Sequence, residues 1–220
     1  IVKNLIKSFL IGLGISVAIC LLFFLAVEVQ AHEGFGSVTI GGEGQPTYTV
    51  TSLANSGPGT LRDALLQGNR YVTFSVDGTI YLQSHIRISD ANITVDGTTA
   101  DITIACNGAY DLLQLRGSSC HDIIIDNIRV VGAANDNIQI YDGCYNIVVN
   151  NCSIRNGGDG NIDITENCHD VTVSNCIIAN NSKMSLVKYG SYNITMLNNI
   201  WFEGEDRNPP ILGVTDAYLH

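Results

Sequence analysis

A repeat of about 24 residues is the feature that most restricts the fold of this chain. Cys120, Cys144 and Cys168 follow one another at equal steps of this length. Short apolar stretches recur in phase with them, at residues 123–126, 147–150, 171–174 and 194–197. A fixed period with one set of short strands per unit is typical of a solenoid. Because such a unit has room for three short strands and three turns but for no long helix, the repeat predicts a parallel β-helix with coils about 4.8 Å apart.

The residues that recur at this step are expected to form columns along the stack. Asn127, Asn151 and Asn175 are one such set, and Asn tolerates left-handed backbone and can bond to the amide of the next coil. The six cysteines beyond residue 31 form others, and an even number also permits disulfides. We favour stacked free thiols, because cysteine is a small side chain that is readily buried.

The segment before the repeat contains a predicted cap. Residues 60–66 read as a short helix, with Thr60 as the N-cap and Asp63 three residues later. A solenoid needs its first apolar coil covered, and this helix would cover it. We therefore expect a single all-β domain over residues 32–220, a solenoid of about 24 residues per coil with a short N-terminal capping helix.

Residues 1–31 differ in composition from the rest of the chain. Lys3 and Lys7 precede an uncharged stretch, residues 9–27, and Val29-Gln30-Ala31 resembles a cleavage site. This order predicts a secretory signal peptide, with a membrane anchor as the alternative because the stretch nearly spans a bilayer. The absence of an initiator methionine and the end in mid-repeat suggest a fragment truncated at both ends.

Charge and composition exclude two classes of protein. The chain has 45% apolar and 15% charged residues, so we do not expect global disorder. Its net charge of −10 excludes nucleic-acid binding through a broad basic face. We expect a secreted monomer with no stable membrane association once the signal is removed.

One column combines acidic and basic side chains. The same regular step, taken from Asn135, leads to Asp159, Lys183 and Arg207. Asp136 lies beside the start of this column. Asp163 follows Asp159 on a strand, where the flanking isoleucines should point inward and the carboxylate outward.

Asp136, Asp159 and Asp163 are thus expected to converge on one outer face. Carboxylates held this close repel one another, so they call for a proton or a cation. Ca²⁺ suits them better than zinc, because it prefers several oxygen ligands in flexible geometry. The alternative is that the three are solvated turn residues, with Lys183 and Arg207 as balancing charges. An acidic metal site beside cations would suit a polyanionic substrate, and Lys188 is a further nearby cation.

The sequence resembles the pectate lyases that fold as a right-handed parallel β-helix. Segments similar to those of the family run in order over residues 33–210, from GFGSVTIGGEG and VTSLANSGPGTLRDAL to NDNIQI, GGDGNIDIT, SKMSLV and RNPP. GPGTLRDAL and RNPP are the more specific. One departure is that Pro210, Ile211 and Leu212 stand where family members have another arginine.

The resemblance implies a Ca²⁺-dependent lyase that cleaves pectate, an acidic polysaccharide, by β-elimination to 4,5-unsaturated products. It implies that Asp136, Asp159 and Asp163 bind calcium. It further implies that Lys183 holds a uronate carboxylate and that Arg207 accepts the proton. Since arginine holds its proton strongly, Lys183 is the other candidate base.

Two alternatives remain open beside the lyase. The missing arginine favours a non-catalytic β-helix that binds carbohydrate or acts at a surface. The acidic residues would also permit a glycoside hydrolase, which needs two carboxylates around the scissile bond but would leave Lys183 and Arg207 idle. Unsaturated products, reducing ends or binding alone would distinguish the three.

Overall fold

The computed structural model of the chain describes residues 32–106, 110–207 and 215–219. The predicted signal peptide, residues 1–31, and the segment 210–212 lie outside the described residues. In the part of the chain that is described, no helix is long and apolar enough to cross a membrane.

In the described residues, nineteen strands form three parallel sheets that wind into a β-solenoid of about seven turns. The eight-stranded sheet contains β1 (Thr47–Val50), β2 (Arg70–Phe74), β5 (Ile93–Asp96), β8 (His121–Asp126), β11 (Tyr145–Asn150), β14 (His169–Ser174), β17 (Tyr192–Leu197) and β19 (Thr215–Leu219). The six-stranded sheet contains β3 (Gly78–Leu82), β6 (Ile102–Cys106), β9 (Arg129–Val131), β12 (Ser153–Arg155), β15 (Ile177–Lys183) and β18 (Ile200–Asp206). The five-stranded sheet contains β4 (Ile86–Ile88), β7 (Leu113–Arg116), β10 (Ile138–Tyr141), β13 (Ile162–Ile164) and β16 (Ser185–Val187). The predicted right-handed parallel β-helix is confirmed.

The register follows the sequence repeat through the middle of the eight-stranded sheet, from β8 to β14, while coils on either side differ from it in length. Ile147 pairs with Ile123 on one side and with Val171 on the other, so both of these coils have the full length of the repeat. Val171 then pairs with Ile194, one position earlier than the full repeat would place its partner. This coil is therefore one residue shorter, and the change shifts the positions of the residues that follow it.

The core is a continuous stack of aliphatic side chains and cysteines inside the coils. Cys120, Cys144 and Cys168 are completely buried, and Cys152 and Cys176 almost so. All five are free thiols, which confirms the expectation for these columns. Burial of small apolar groups in a continuous row suits a fold in which each coil packs only on its neighbours.

The asparagine column forms a row of left-handed turns. Asn127, Asn151, Asn175 and Asn198 have φ values of 55°, 51°, 55° and 55°. Contrary to expectation, the side-chain amides of these asparagines are not hydrogen-bonded to one another in the described residues. The amide of Asn175 donates instead to Asn150 Oδ1 on the preceding coil, at 2.8 Å. The turn geometry, rather than an amide ladder at these positions, thus explains the repeat of asparagine.

A short helix, α1 (Leu61–Ala64), covers the N-terminal end of the core as predicted. The Thr60 hydroxyl accepts a hydrogen bond from the Asp63 N–H at 3.3 Å, which is the expected N-cap contact. Leu61 and Ala64 are fully buried and extend the apolar core.

The glycine-rich segment at 34–44 crosses the outer face of the eight-stranded sheet and includes a 3-10 helix at Phe35–Val38. Its backbone donates hydrogen bonds to threonine hydroxyls on three of the coils, those of Thr94, Thr172 and Thr195. Gly36 N–H donates to Thr172 Oγ1 at 2.9 Å, and that hydroxyl donates to the Glu33 carbonyl at 3.0 Å. A β-carbon at Gly36 would lie 2.8 Å from the Ile147 carbonyl oxygen, so only glycine permits this approach.

Candidate functional site

The acidic residues singled out in the sequence lie where the six-stranded sheet turns into the five-stranded sheet. Asp136 stands two residues before β10, and Asp159 three residues before β13. Asp163 is the middle residue of β13, between Ile162 and Ile164, which are both fully buried in the core. Its side chain therefore points away from the core, as the alternation predicted. Asp136 and Asp163 are nevertheless only 5% and 6% exposed, whereas Asp159 is exposed.

Two buried asparagines hold these turns in place. Asn137 donates from Nδ2 to Asn161 Oδ1 at 2.9 Å, and both side chains are fully buried. Asn161 also accepts from the Gly157 N–H and donates to the Ala179 carbonyl, at 3.0 and 2.9 Å. The pair was not predicted from the sequence, although one full repeat separates the two asparagines and was a signal for it.

The carboxylates of Asp136 and Asp163 converge beside Gly160. A β-carbon at Gly160 would lie 2.5 Å from Asp136 Oδ1 and 2.8 Å from Asp163 Oδ1. Both of these oxygens are buried and lack a hydrogen-bond partner. A buried acceptor without a partner is costly, so the arrangement favours a proton or a cation between the two carboxylates.

The raised pKa values of the Asp136 and Asp163 carboxyl groups agree with this geometry. Burial, together with the negative charges of Asp111 and Asp159, raises the pKa of Asp136 to about 6. Burial likewise raises the pKa of Asp163 to about 7, with the charge of Asp136 as the next cause. Without a cation, both carboxyl groups therefore bind protons more readily than an exposed aspartate.

Asp111 is a further acidic neighbour, which was not predicted from the sequence. Its Oδ1 accepts a hydrogen bond from the Asp136 N–H at 3.1 Å, and its side chain is 7% exposed. It precedes Asp136 by one position more than the repeat, which is why the regular step did not find it.

Two cations predicted for this column are near the carboxylates. Lys183 Nζ donates to Asp159 Oδ1, and the backbone of Asp159 bonds to the Asn135 carbonyl at 3.0 Å, so this part of the column stacks as expected. Because the last coil is shorter, Asp206 rather than Arg207 is in register with Lys183. The Arg207 charge still lowers the pKa values of Asp136 and Asp163, against the larger opposing effects of burial.

Lys188 lies at a different position from these two cations. It follows β16 by one residue, and its Nζ stands 4.7 Å above the centre of the Tyr189 ring. Within the residues described, it makes no ion pair with a carboxylate. Lys183 and Arg207 therefore interact with the acidic residues, whereas Lys188 packs on an aromatic ring instead.

The donor set offers hard oxygen atoms to a cation. Over the described ranges, no group of three or more histidine, cysteine, aspartate or glutamate side chains is arranged to hold a metal ion. Two carboxylates converge and the third, Asp159, is paired with Lys183. The unpartnered oxygens of Asp136 and Asp163 and the space that Gly160 leaves between them fit an oxygen-seeking cation such as Ca²⁺.

No family model matches the chain. Among curated proteins, it is 38% identical over 109 residues to a probable pectate lyase C of Emericella nidulans, across 48% of this chain and 24% of that protein. It is 34% identical over 131 residues to a probable pectate lyase C of Aspergillus fumigatus, across 53% of this chain and 30% of that protein. The chain therefore spans less than a third of the length of these relatives.

Solved structures with the same fold include pectate lyases. Jun a 1, the major allergen of cedar pollen, superposes with a TM-score of 0.76 at 24% identity, over 85% of this chain and 64% of that one. A pectate lyase of Bacillus sp. N165, in complex with trigalacturonate, superposes with a TM-score of 0.61 at 20% identity, over 86% and 66%. At these identities the likeness establishes the fold. The curated relatives agree with the resemblance found in the sequence: the chain is similar to pectate lyases over about half of its length, and it has the parallel β-helix fold.

Proposed function

We propose that the protein is a Ca²⁺-dependent polysaccharide lyase that cleaves pectate by β-elimination. The observation that carries this proposal is the pair of buried, unpartnered oxygens of Asp136 and Asp163 next to the cations Lys183 and Arg207. Its curated relatives are named pectate lyases, and one similar structure holds trigalacturonate, an acidic sugar chain.

Asp136 and Asp163 would hold the calcium ion, with Asp159 as a third ligand. Asp159 now pairs with Lys183, but the two side chains are 51% and 43% exposed. An exposed ion pair contributes only about 0–1 kcal/mol, so it is easily exchanged for other partners. When bound, Ca²⁺ supplies a positive charge that attracts a uronate carboxylate to this face.

Lys183 would then bind the carboxylate next to C5 of the sugar. Neutralising this carboxylate makes the C5 hydrogen more acidic, because the negative charge that develops at C5 is spread onto it. Arg207 would accept the C5 proton, with Lys183 as the alternative base. The C5–H electron pair forms the C4–C5 double bond as the C4–O bond breaks, and the departing oxygen takes up a proton.

We further propose that the protein acts outside the cell as a monomer, with residues 1–31 as its signal peptide. The basic head, uncharged stretch and cleavage pattern support this proposal.

The direct test is incubation of the protein with polygalacturonate and Ca²⁺ from neutral to alkaline pH. A lyase produces an ultraviolet-absorbing unsaturated product, and a chelator abolishes its formation. Absence of this product at every pH would reject the proposal. Binding without product would favour a non-catalytic carbohydrate-binding protein, and reducing ends without unsaturation would favour a hydrolase.

A further inference from the structure

The outer face of the five-stranded sheet carries a second group of polar residues beside the acidic site. The strand register places Arg87, Gln114, Gln139 and Asp163 in one row across β4, β7, β10 and β13. These side chains point outward, because the residues that alternate with them are part of the core. At one coil spacing per strand, Arg87 stands roughly 14 Å from Asp163 along the helix axis.

Gln114 connects this row to the acidic site. Its Oε1 accepts hydrogen bonds from Arg87 Nη2 at 3.3 Å and from the Tyr141 hydroxyl at 3.4 Å. Its Nε2 donates to Asp111 Oδ2 at 2.5 Å, and Asp111 in turn accepts from the Asp136 backbone. Since Gln114 is only 8% exposed, the network is fixed in position.

Arg116 and Tyr141 form the next row on the same face, two residues further along β7 and β10. The Arg116 guanidinium carbon lies 5.3 Å from the centre of the Tyr141 ring, a cation–π distance that orients the planar group. Arg116 also forms an ion pair with Asp142 at 3.3 Å, in which both side chains are about half exposed. Such a pair contributes little and can be replaced by another carboxylate.

Within the described residues, the hydrogen-bond partner of Arg87 is the neutral Gln114 side chain. Arg87 is exposed and forms no ion pair with any carboxylate in the described part of the chain. The protein as a whole is strongly acidic, so an exposed arginine held in place without a carboxylate is available to a ligand that carries one.

On the basis of the proposed function, we propose that Arg87 and Arg116 bind distal uronate residues of the polysaccharide that the acidic site engages. Gln114 and Tyr141 are positioning residues, because they act by orienting the two guanidinium groups. A sugar chain laid along the helix axis would pass from the acidic site across β10 to Arg116 and then to Arg87. Each 1,4-linked uronate advances the chain by about one coil spacing, so its carboxylates can meet successive rows.

This arrangement predicts a dependence on oligosaccharide length. A trimer bound at the acidic site cannot extend to Arg87, whereas a hexamer can reach both arginines. The affinities of trigalacturonate and hexagalacturonate would be measured by calorimetry with Ca²⁺ present. All proteins would carry Arg207→Gln, which is expected to keep the ligands intact.

In this background, Arg87→Gln with Arg116→Gln should lower the ratio of hexamer to trimer affinity about tenfold, because the hexamer loses the charge-assisted contact with Arg87, which the trimer does not make. The matched control is Arg129→Gln, which removes an exposed arginine paired with Asp101 on the six-stranded sheet. It should change the ratio less than twofold. Equal thermal unfolding temperatures would show that all variants are folded.

An unchanged ratio in the double variant, with both oligomers still bound, would overturn this inference and leave the proposed function intact. If neither oligomer binds to the protein that carries Arg207→Gln alone, the titration is repeated with Arg207 restored. Failure of the restored protein to bind would reject both proposals together.

Discussion

Asp136 and Asp163, which lie on successive coils, direct their Oδ1 atoms to the same small space, within 2.8 Å of where a β-carbon at Gly160 would lie. Gly160 has no unusual positive φ, so the backbone itself accepts alanine there. Glycine is required at this position because of the two oxygens. The hydrogen in place of a side chain leaves the space in which a cation would bind.

Gly160→Ala should therefore weaken Ca²⁺ binding by tenfold or more while the solenoid remains folded. The new methyl group would push the two oxygens apart and fill the space between them. Calorimetric titration with Ca²⁺ measures the change directly. Gly44→Ala is the control, since no atom lies within 4 Å of its β-carbon position, although its φ of 72° costs about 1–2 kcal/mol. Equal Ca²⁺ affinity in the Gly160 variant and the parent protein would contradict the assignment.

The stability of the calcium-free protein should decrease as the pH rises. Burial raises the pKa of Asp163 from 3.8 to about 7, so the folded state binds this proton more tightly than the unfolded state. The resulting stabilisation is complete below about pH 4 and is lost as the pH rises through 7, by an amount on the order of a few kcal/mol. Asp136, with a pKa of about 6, contributes in the same direction.

Asp163→Asn should reduce this loss, because an amide stays neutral at every pH. Urea unfolding between pH 4 and pH 8, with a chelator present, measures it. Above pH 7, added Ca²⁺ should raise the unfolding temperature of the parent protein and have a much smaller effect on the variant. Asp101→Asn, an exposed carboxyl on the six-stranded sheet, should leave both responses in place. A calcium effect of full size in the Asp163 variant would remove that residue from the metal site.

Lys183 and Arg207 should differ in their kinetic effects. If Lys183 binds the uronate carboxylate and Arg207 accepts the proton, Lys183→Gln should raise KM and also lower kcat, by a smaller factor than the arginine variant, because its charge makes the C5 hydrogen more acidic. Arg207→Gln should lower kcat about 10²–10⁴-fold. Initial rates of unsaturated product formation give both constants, and Arg129→Gln controls for loss of a surface charge. If the large decrease in kcat instead occurs in the Lys183 variant, then lysine is the base.

The sequence predicted the stacking of coils well because the repeat is a direct consequence of strand pairing. The thiol columns and the left-handed asparagine turns follow from the same regular step. Arg207 was predicted one position out of register, because its coil is one residue shorter than the repeat. The shortened step from Asn175 to Asn198 already contained this information.

The details of the acidic site were harder to predict. Whether a carboxylate is buried depends on how each turn bends over the next coil, and the spacing alone does not determine this. Asp159 was expected to join the other two aspartates, but it extends into solvent and pairs with Lys183. Asp111 escaped notice because the coil that follows it contains one additional residue.

The N-terminal segment offers a test of the fold that does not depend on activity. Thr172 is fully buried, and its hydroxyl accepts from the Gly36 N–H and donates to the Glu33 carbonyl. Thr172→Val keeps the shape of the side chain but leaves both backbone groups without this partner, so it should lower the free energy of unfolding by about 1–3 kcal/mol. Urea unfolding followed by circular dichroism measures the loss. Thr49→Val makes the same change in an exposed threonine pair and should cost less than about 0.5 kcal/mol. Equal losses at the two positions would show that the segment contributes little to holding the coils together.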